Sequence, residues 1–222
     1  MNNSLTNTAR LLGAGLRALL VLTLVTGVLY PLVVTGIAQG LFGSKANGSE
    51  IEADGKVVGS SLIGQSYNLP LKEGQETPEP DLKWFQGRPQ NGLGTNSVNT
   101  RYKLILSGAT NRSADNKDLI DWVTAAKAAV VKDNSTADHK VRPSDVPADA
   151  VTSSGSGLDP DISPQYADIQ VHRIAERNGL SVARVQRLVD AHTDGRTLGF
   201  LGEPRVNVLE LNIALKDLAA KG

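Results

Sequence analysis

The 222-residue sequence contains no cysteine. This excludes disulfides, thiolate metal sites and thiol nucleophiles together. Aromatics make up only 4% of residues. Acidic residues are missing from the first 44 positions, where Arg10 and Arg17 are the only charges. The rest of the chain carries 21 basic and 23 acidic side chains. So even a balance gives no bulk attraction to nucleic acid or to an anionic surface.

Catalytic signatures are also missing. There is no G-x-x-x-x-G-K-[ST] phosphate cradle and no G-x-S-x-G nucleophile elbow. Gly92-Leu93-Gly94 and Gly155-Ser156-Gly157 lack the third glycine of a dinucleotide fingerprint. His139, His172 and His192 have no metal-ligand spacing. Ser153, Ser154 and Ser156 have no base nearby in sequence. Asp159 and Asp161 are close enough to pair for acid–base work, but Asp-Pro and Asp-x-Ser-Pro read more simply as turn and cap chemistry. Six arginines between 173 and 205 are interleaved with acids, which fits a solvated helix face rather than a nucleic-acid surface.

One long apolar run is present. The 27 residues between Arg17 and Lys45 carry no charge. A bilayer core needs only about 20 residues, and a secretory h-region runs to about 15. The run therefore reads as a transmembrane helix over residues 18–43, although Gly36-Ile37-Ala38 imitates a cleavage site. The flanking arginines predict a cytoplasmic N-terminus over residues 1–17 and a domain on the far side of the membrane. Pro31 predicts a kink, because its ring crowds the carbonyl of Gly27. Gly36 and Gly40 are spaced for close approach of a second helix.

Residues 44–56 read as a polar linker, and residues 57–222 as one α+β domain. Short strands are expected at Val57–Gly64 and Tyr102–Leu106. Helical spacing predicts a helix over 117–132. A long polar stretch, 132–163, follows. Ser163-Pro164 then starts a helix that Gly179 ends. Ser181 and Asn207 are positioned to cap two more.

Two stretches carry more than composition does. The first runs from Val151 to Pro164, including Gly155, Gly157, Leu158, Asp159 and Pro160, with Gln170 and Arg173 beyond it. The second is Gly202-Glu203-Pro204-Arg205-Val206-Asn207-Val208-Leu209-Glu210-Leu211-Asn212. With Gly59–Gln65, Arg88-Pro89 and Tyr30-Pro31, they closely resemble the C subunit of the bacterial Kdp potassium-transporting ATPase. The resemblance covers essentially the whole chain. It departs at Ser107-Gly108-Ala109-Thr110-Asn111-Arg112, where that family tends to show Ser-Gly-Gly-Ser-Asn with prolines nearby.

The resemblance implies a non-catalytic subunit in the cell membrane. Its implied partners are a channel-like potassium-binding subunit and a P-type ATPase subunit, which handle K+ and ATP; no cofactor is expected on this chain. Family members have been described as assembly factors and as catalytic chaperones that raise ATP affinity. The topology favours stabilisation, because ATP is cytoplasmic and residues 45–222 should lie outside. The residues themselves leave two alternatives open. One is a membrane-anchored sensor or ligand-binding domain. The other is an anchored hydrolase, of which the sequence gives no local sign.

Overall fold

The computed structural model describes residues 3–75, 78–89, 107–108 and 111–221. They divide into two compact units, Met1–Glu50 and Ile51–Gly222. The strand expected at Tyr102–Leu106 lies outside the described residues.

The first unit is a helical rod running continuously from Ser4 to Leu41. It consists of α1 (Asn3–Leu24), a π turn (Val25–Leu29) and α2 (Tyr30–Leu41), followed by a short helical turn, α3 (Gly43–Ala46). At 1.5 Å per residue the rod spans about 57 Å, well beyond a hydrocarbon core of about 30 Å. The helix thus begins well before Ala18. Pro31 acts through the π turn: the N–H of Tyr30 donates to the carbonyl of Val25, one residue further back than in an α-helix. A wider turn gives the proline ring room beside the preceding carbonyls. Thr26 folds its hydroxyl onto the Leu22 carbonyl at 2.7 Å, so this polar atom is satisfied within the rod. None of the rod's most apolar stretch is buried in the isolated chain. A surface of this kind requires lipid or another helix to cover it.

A hairpin, β1 (Glu50–Ala53) and β2 (Lys56–Ser60), comes next in the chain, and all but its first residue belongs to the second unit. Its turn residues, Asp54 and Gly55, both have positive φ, 53° and 71°. That is the Asp-Gly pair of a type I′ turn, whose twist matches the strands. The 44–56 stretch read as a linker therefore contains α3, β1 and this turn. Among the described residues, four helices follow: α4 (Lys117–Asn134), α5 (Pro164–Asn178), α6 (Val182–Ala191) and α7 (Val208–Ala220). Each has a side-chain cap. Asn116, Ser163, Ser181 and Asn207 accept from the backbone N–H three residues on. Gly179 closes α5 in the left-handed conformation, φ 65°.

A small antiparallel sheet joins the helices. Its strands are β3 (Asp161–Ile162), β4 (Thr193–Asp194) and β5 (Arg205–Asn207), in the order β3-β5-β4. Asp161 is paired with Asn207, and Ile162 with Val206. The polar 132–163 stretch is ordered by 3-10 turns at Pro143–Asp145 and Ala148–Ala150 and by β3. Its apolar anchors Val141 and Ala150 are buried. The core gathers Phe85, Val130, Ile162, Tyr166, Ile174, Val185, Val206, Leu211 and Leu215, with Trp84 packed at its margin. Each such large side chain contributes about 1.5–3 kcal/mol by leaving water. The whole is one apolar helix followed by a mixed α/β region, the α+β class.

Candidate functional site

The two motif stretches meet at β3 and β5. The 151–164 segment makes a tight turn in which Gly157 takes φ 68°. A β-carbon at Gly155 would meet nothing within 4 Å, so its glycine is not required by packing. Leu158 accepts at its carbonyl from the N–H of Gly64, 2.8 Å away. Ser156 accepts from the N–H of Gly108 at 2.8 Å, which ties this turn to one residue of the motif where the sequence departs from the family. The carbonyl of Pro160 accepts from the N–H of Val208, the first residue of α7.

The charged side chains interlock around this backbone. Asp159 pairs with Arg88 at 2.9 Å, and its other oxygen accepts from the N–H of Asp161. Arg88 also donates to the carbonyls of Thr152 and Ser153. Asp161 meets Arg205 at 3.2 Å and accepts from the amide of Asn207. Burial holds the Asp161 carboxyl above the usual range; Arg205 opposes this, and Asp159 adds like-charge repulsion. Asn207 does three jobs. It caps α7, bonds Asp161 and reaches the carbonyl of Ser61 at 2.9 Å. Gly202, φ 78°, allows the bend before Glu203, which pairs with Arg196 at 2.7 Å. Arg88, Asp159, Asp161, Glu203, Pro204 and Arg205 border an open groove of about 560 Å³.

Gln170 and Arg173 lie elsewhere, inside the core. Both are essentially inaccessible, at 0% and 2% exposure. Gln170 clamps the backbone of Gln86, receiving its N–H at 2.7 Å and donating to its carbonyl at 3.0 Å. Arg173 donates to Asn134, to Gln170 and to the carbonyls of Leu82 and Trp84. Burial lowers its pKa to about 10, so it remains charged at neutral pH among neutral acceptors. Asn212 completes the clamp by bonding both the N–H and the carbonyl of Phe85. The sequence motifs leave out Asn134 and Gln86, and include Asn212 only as the last residue of the second stretch, with no role of its own. Asn212 stands at the end of the second motif, one turn of α7 beyond Val208, and that spacing was the available signal.

The structure therefore separates the motif residues by task. Asp159, Pro160, Arg205 and Asn207 weld the β3–β5 junction to α7. Gln170 and Arg173 hold the 82–86 segment against α5. Asp159 is bonded as a turn group, accepting from the N–H of Asp161, as its spacing predicts, whereas Asp161 caps no helix: its carboxylate is taken up by Arg205 and Asn207, and Ser163 caps α5. Among the described residues, no three His, Cys, Asp or Glu side chains are grouped to hold a metal. His139 and His172 are brought together, with rings stacked 3.9 Å apart.

In the span, a β-carbon at Gly36 or Gly40 would meet nothing within 4 Å beyond its own stretch of helix. Their faces are open to a neighbour.

Fold and site define a class: an α+β protein with an N-terminal helix long and apolar enough to cross a membrane, whose motif residues bond within the chain. Comparison with known proteins makes this specific. The family model described as "KdpC: K+-transporting ATPase, c chain" matches residues 12–217, and the chain belongs to this family. It is 86% identical over 220 residues to the potassium-transporting ATPase KdpC subunit of Streptomyces avermitilis, covering 99% of both chains. The corresponding subunit of Streptomyces coelicolor is 79% identical over 222 residues, covering 100% of this chain and 99% of its own. That of Mycobacterium tuberculosis is 42% identical over 205 residues, covering 91% and 96%.

Proposed function

We propose that this chain is a non-catalytic accessory subunit of an ATP-driven, high-affinity potassium importer. Its task is to stabilise the assembly beside a channel-like subunit. The observation that carries this reading is the end-to-end match, at 86% identity, to a potassium-transporting ATPase KdpC subunit. The bonding of the motif residues supports it, because they are spent on rigidity. K+ and ATP are then handled by the channel-like and P-type ATPase subunits.

The apolar rod anchors the chain in the cell membrane. Arg10 and Arg17 before the span support a cytoplasmic N-terminus, with residues 45–222 on the outer side. Pro31, Gly36 and Gly40 make the span a docking helix rather than a simple tether. In that orientation the domain does not touch ATP. Any effect on the ATPase subunit's nucleotide affinity acts by favouring one of two conformations of the complex.

Co-purification tests the reading. Tagged chain extracted from membranes should bring down the other pump subunits, and recovery of none of them refutes it. Protease added to intact spheroplasts should cut the domain; protection until lysis would reverse the orientation.

A further inference from the structure

We propose that the hairpin tip between β4 and β5 is a preformed docking knob that inserts into an apolar cleft on another subunit of the pump. The inference rests on the subunit reading above and names the surface that carries it.

The tip is Thr197-Leu198-Gly199-Phe200-Leu201. Leu198, Phe200 and Leu201 are 79%, 69% and 50% exposed. Three large apolar groups clustered on one turn and held out in water are the kind of surface that marks interaction sites, unlike apolar residues scattered singly. One is a phenylalanine, a rigid aromatic of the kind that anchors interfaces.

The turn is held in shape before any partner arrives. Thr197 and Leu201 exchange backbone hydrogen bonds at 2.9 and 3.0 Å. Gly199 donates to the Arg196 carbonyl at 3.0 Å, and Phe200 to that of Thr197 at 3.3 Å. Leu198 takes φ 55°, a conformation a leucine rarely adopts, and Gly199 follows at 82°. Strained backbone that displays apolar side chains to water does nothing for the isolated domain. It does lower the ordering cost of binding.

The charges around the tip decide what it meets. An element that inserts into a bilayer surface carries unpaired Lys or Arg to meet anionic headgroups. Here Arg196 is paired with Glu203 at 2.7 Å, and Arg205 with Asp161 and Asp194 at 3.2 and 3.5 Å. A rim of paired charges around an apolar centre is the anatomy of a protein interface. The partner site should therefore be an apolar cleft with a polar, near-neutral rim.

The test uses the full chain co-expressed with the other pump subunits. The variant Leu198→Ser/Phe200→Ser/Leu201→Ser should lower their recovery about tenfold or more, as loss of an interface anchor does. Its thermal unfolding in detergent should match that of the unsubstituted chain, because all three side chains are exposed. Wild-type recovery of the triple variant overturns the knob. Failure of the unsubstituted chain to recover any subunit instead refutes the subunit reading. A second experiment needs no loss of fold. A photoactivatable benzoylphenylalanine at position 200 should cross-link to another pump subunit. Cross-links only to lipid, only to a second copy of this chain, or to nothing overturn the proposal.

Discussion

The core clamp and the β3–β5 junction are both built around arginine but solve opposite problems. At Arg173 a charge sits in the interior and meets only neutral oxygens, from Asn134, Gln170, Leu82 and Trp84. At the junction, Arg88 and Arg205 meet carboxylates at the edge of an open groove. Coulomb attraction is screened at such an edge, and exposed pairs contribute little. In the interior the gain over an apolar residue is also small, but removing one partner is costly. The clamp therefore fixes a segment that has little regular structure of its own. The junction fixes an orientation between elements that are already formed.

This contrast sets the scale of the expected effects. Arg173→Met should cost about 3–5 kcal/mol of unfolding free energy, because it strands several buried acceptors. Arg173→Lys should not restore the loss, since a single ammonium cannot span the fork of acceptors. Denaturant unfolding of the full chain in detergent measures both. A loss below about 1 kcal/mol for Arg173→Met would mean that water replaces the guanidinium and that the site is not sealed.

Asn212→Leu comes next, at about 2 kcal/mol, for leaving the N–H and carbonyl of Phe85 unpaired in the core. Arg88→Ala should cost only about 1 kcal/mol, because Arg88 and Asp159 are both partly exposed. A double-mutant cycle with Asp159→Asn isolates the pair. A coupling as large as the Arg173 effect would erase the distinction between interior and edge.

Much of the local structure was legible in the sequence because it is local. Ser163-Pro164, Gly179, Ser181 and Asn207 announce helix ends through bonds that reach three or four residues. The span was legible because lipid solubility is a property of composition. The β3-β5-β4 sheet was not, since strands of two or three residues carry no alternation to detect. The clamp was hidden for another reason. Gln170 and Asn212 reach segments 84 and 127 residues away, and polarity alone marks such residues as exposed. Asp54-Gly55 was a readable hairpin signal that the linker reading passed over.

The smallest effect expected is a pH dependence, and it extends the comparison to a third setting, where two ionisable rings face each other. His139 and His172 stack with planes 5° apart, on the 135–142 loop and on α5. Burial, and then the neighbouring ring, lower the pKa of His172. Its unfolded form therefore takes up a proton at a higher pH than the folded form does. Stability is complete above the ordinary imidazole value of about 6.5, and is lost as pH falls from there through the lowered folded value. Thermal unfolding followed from pH 7.5 down to pH 5.5 should show a progressive fall that His172→Gln flattens. An equal slope in that variant would assign the dependence to other groups. A rise in stability on acidification would contradict the depressed pKa of His172 itself.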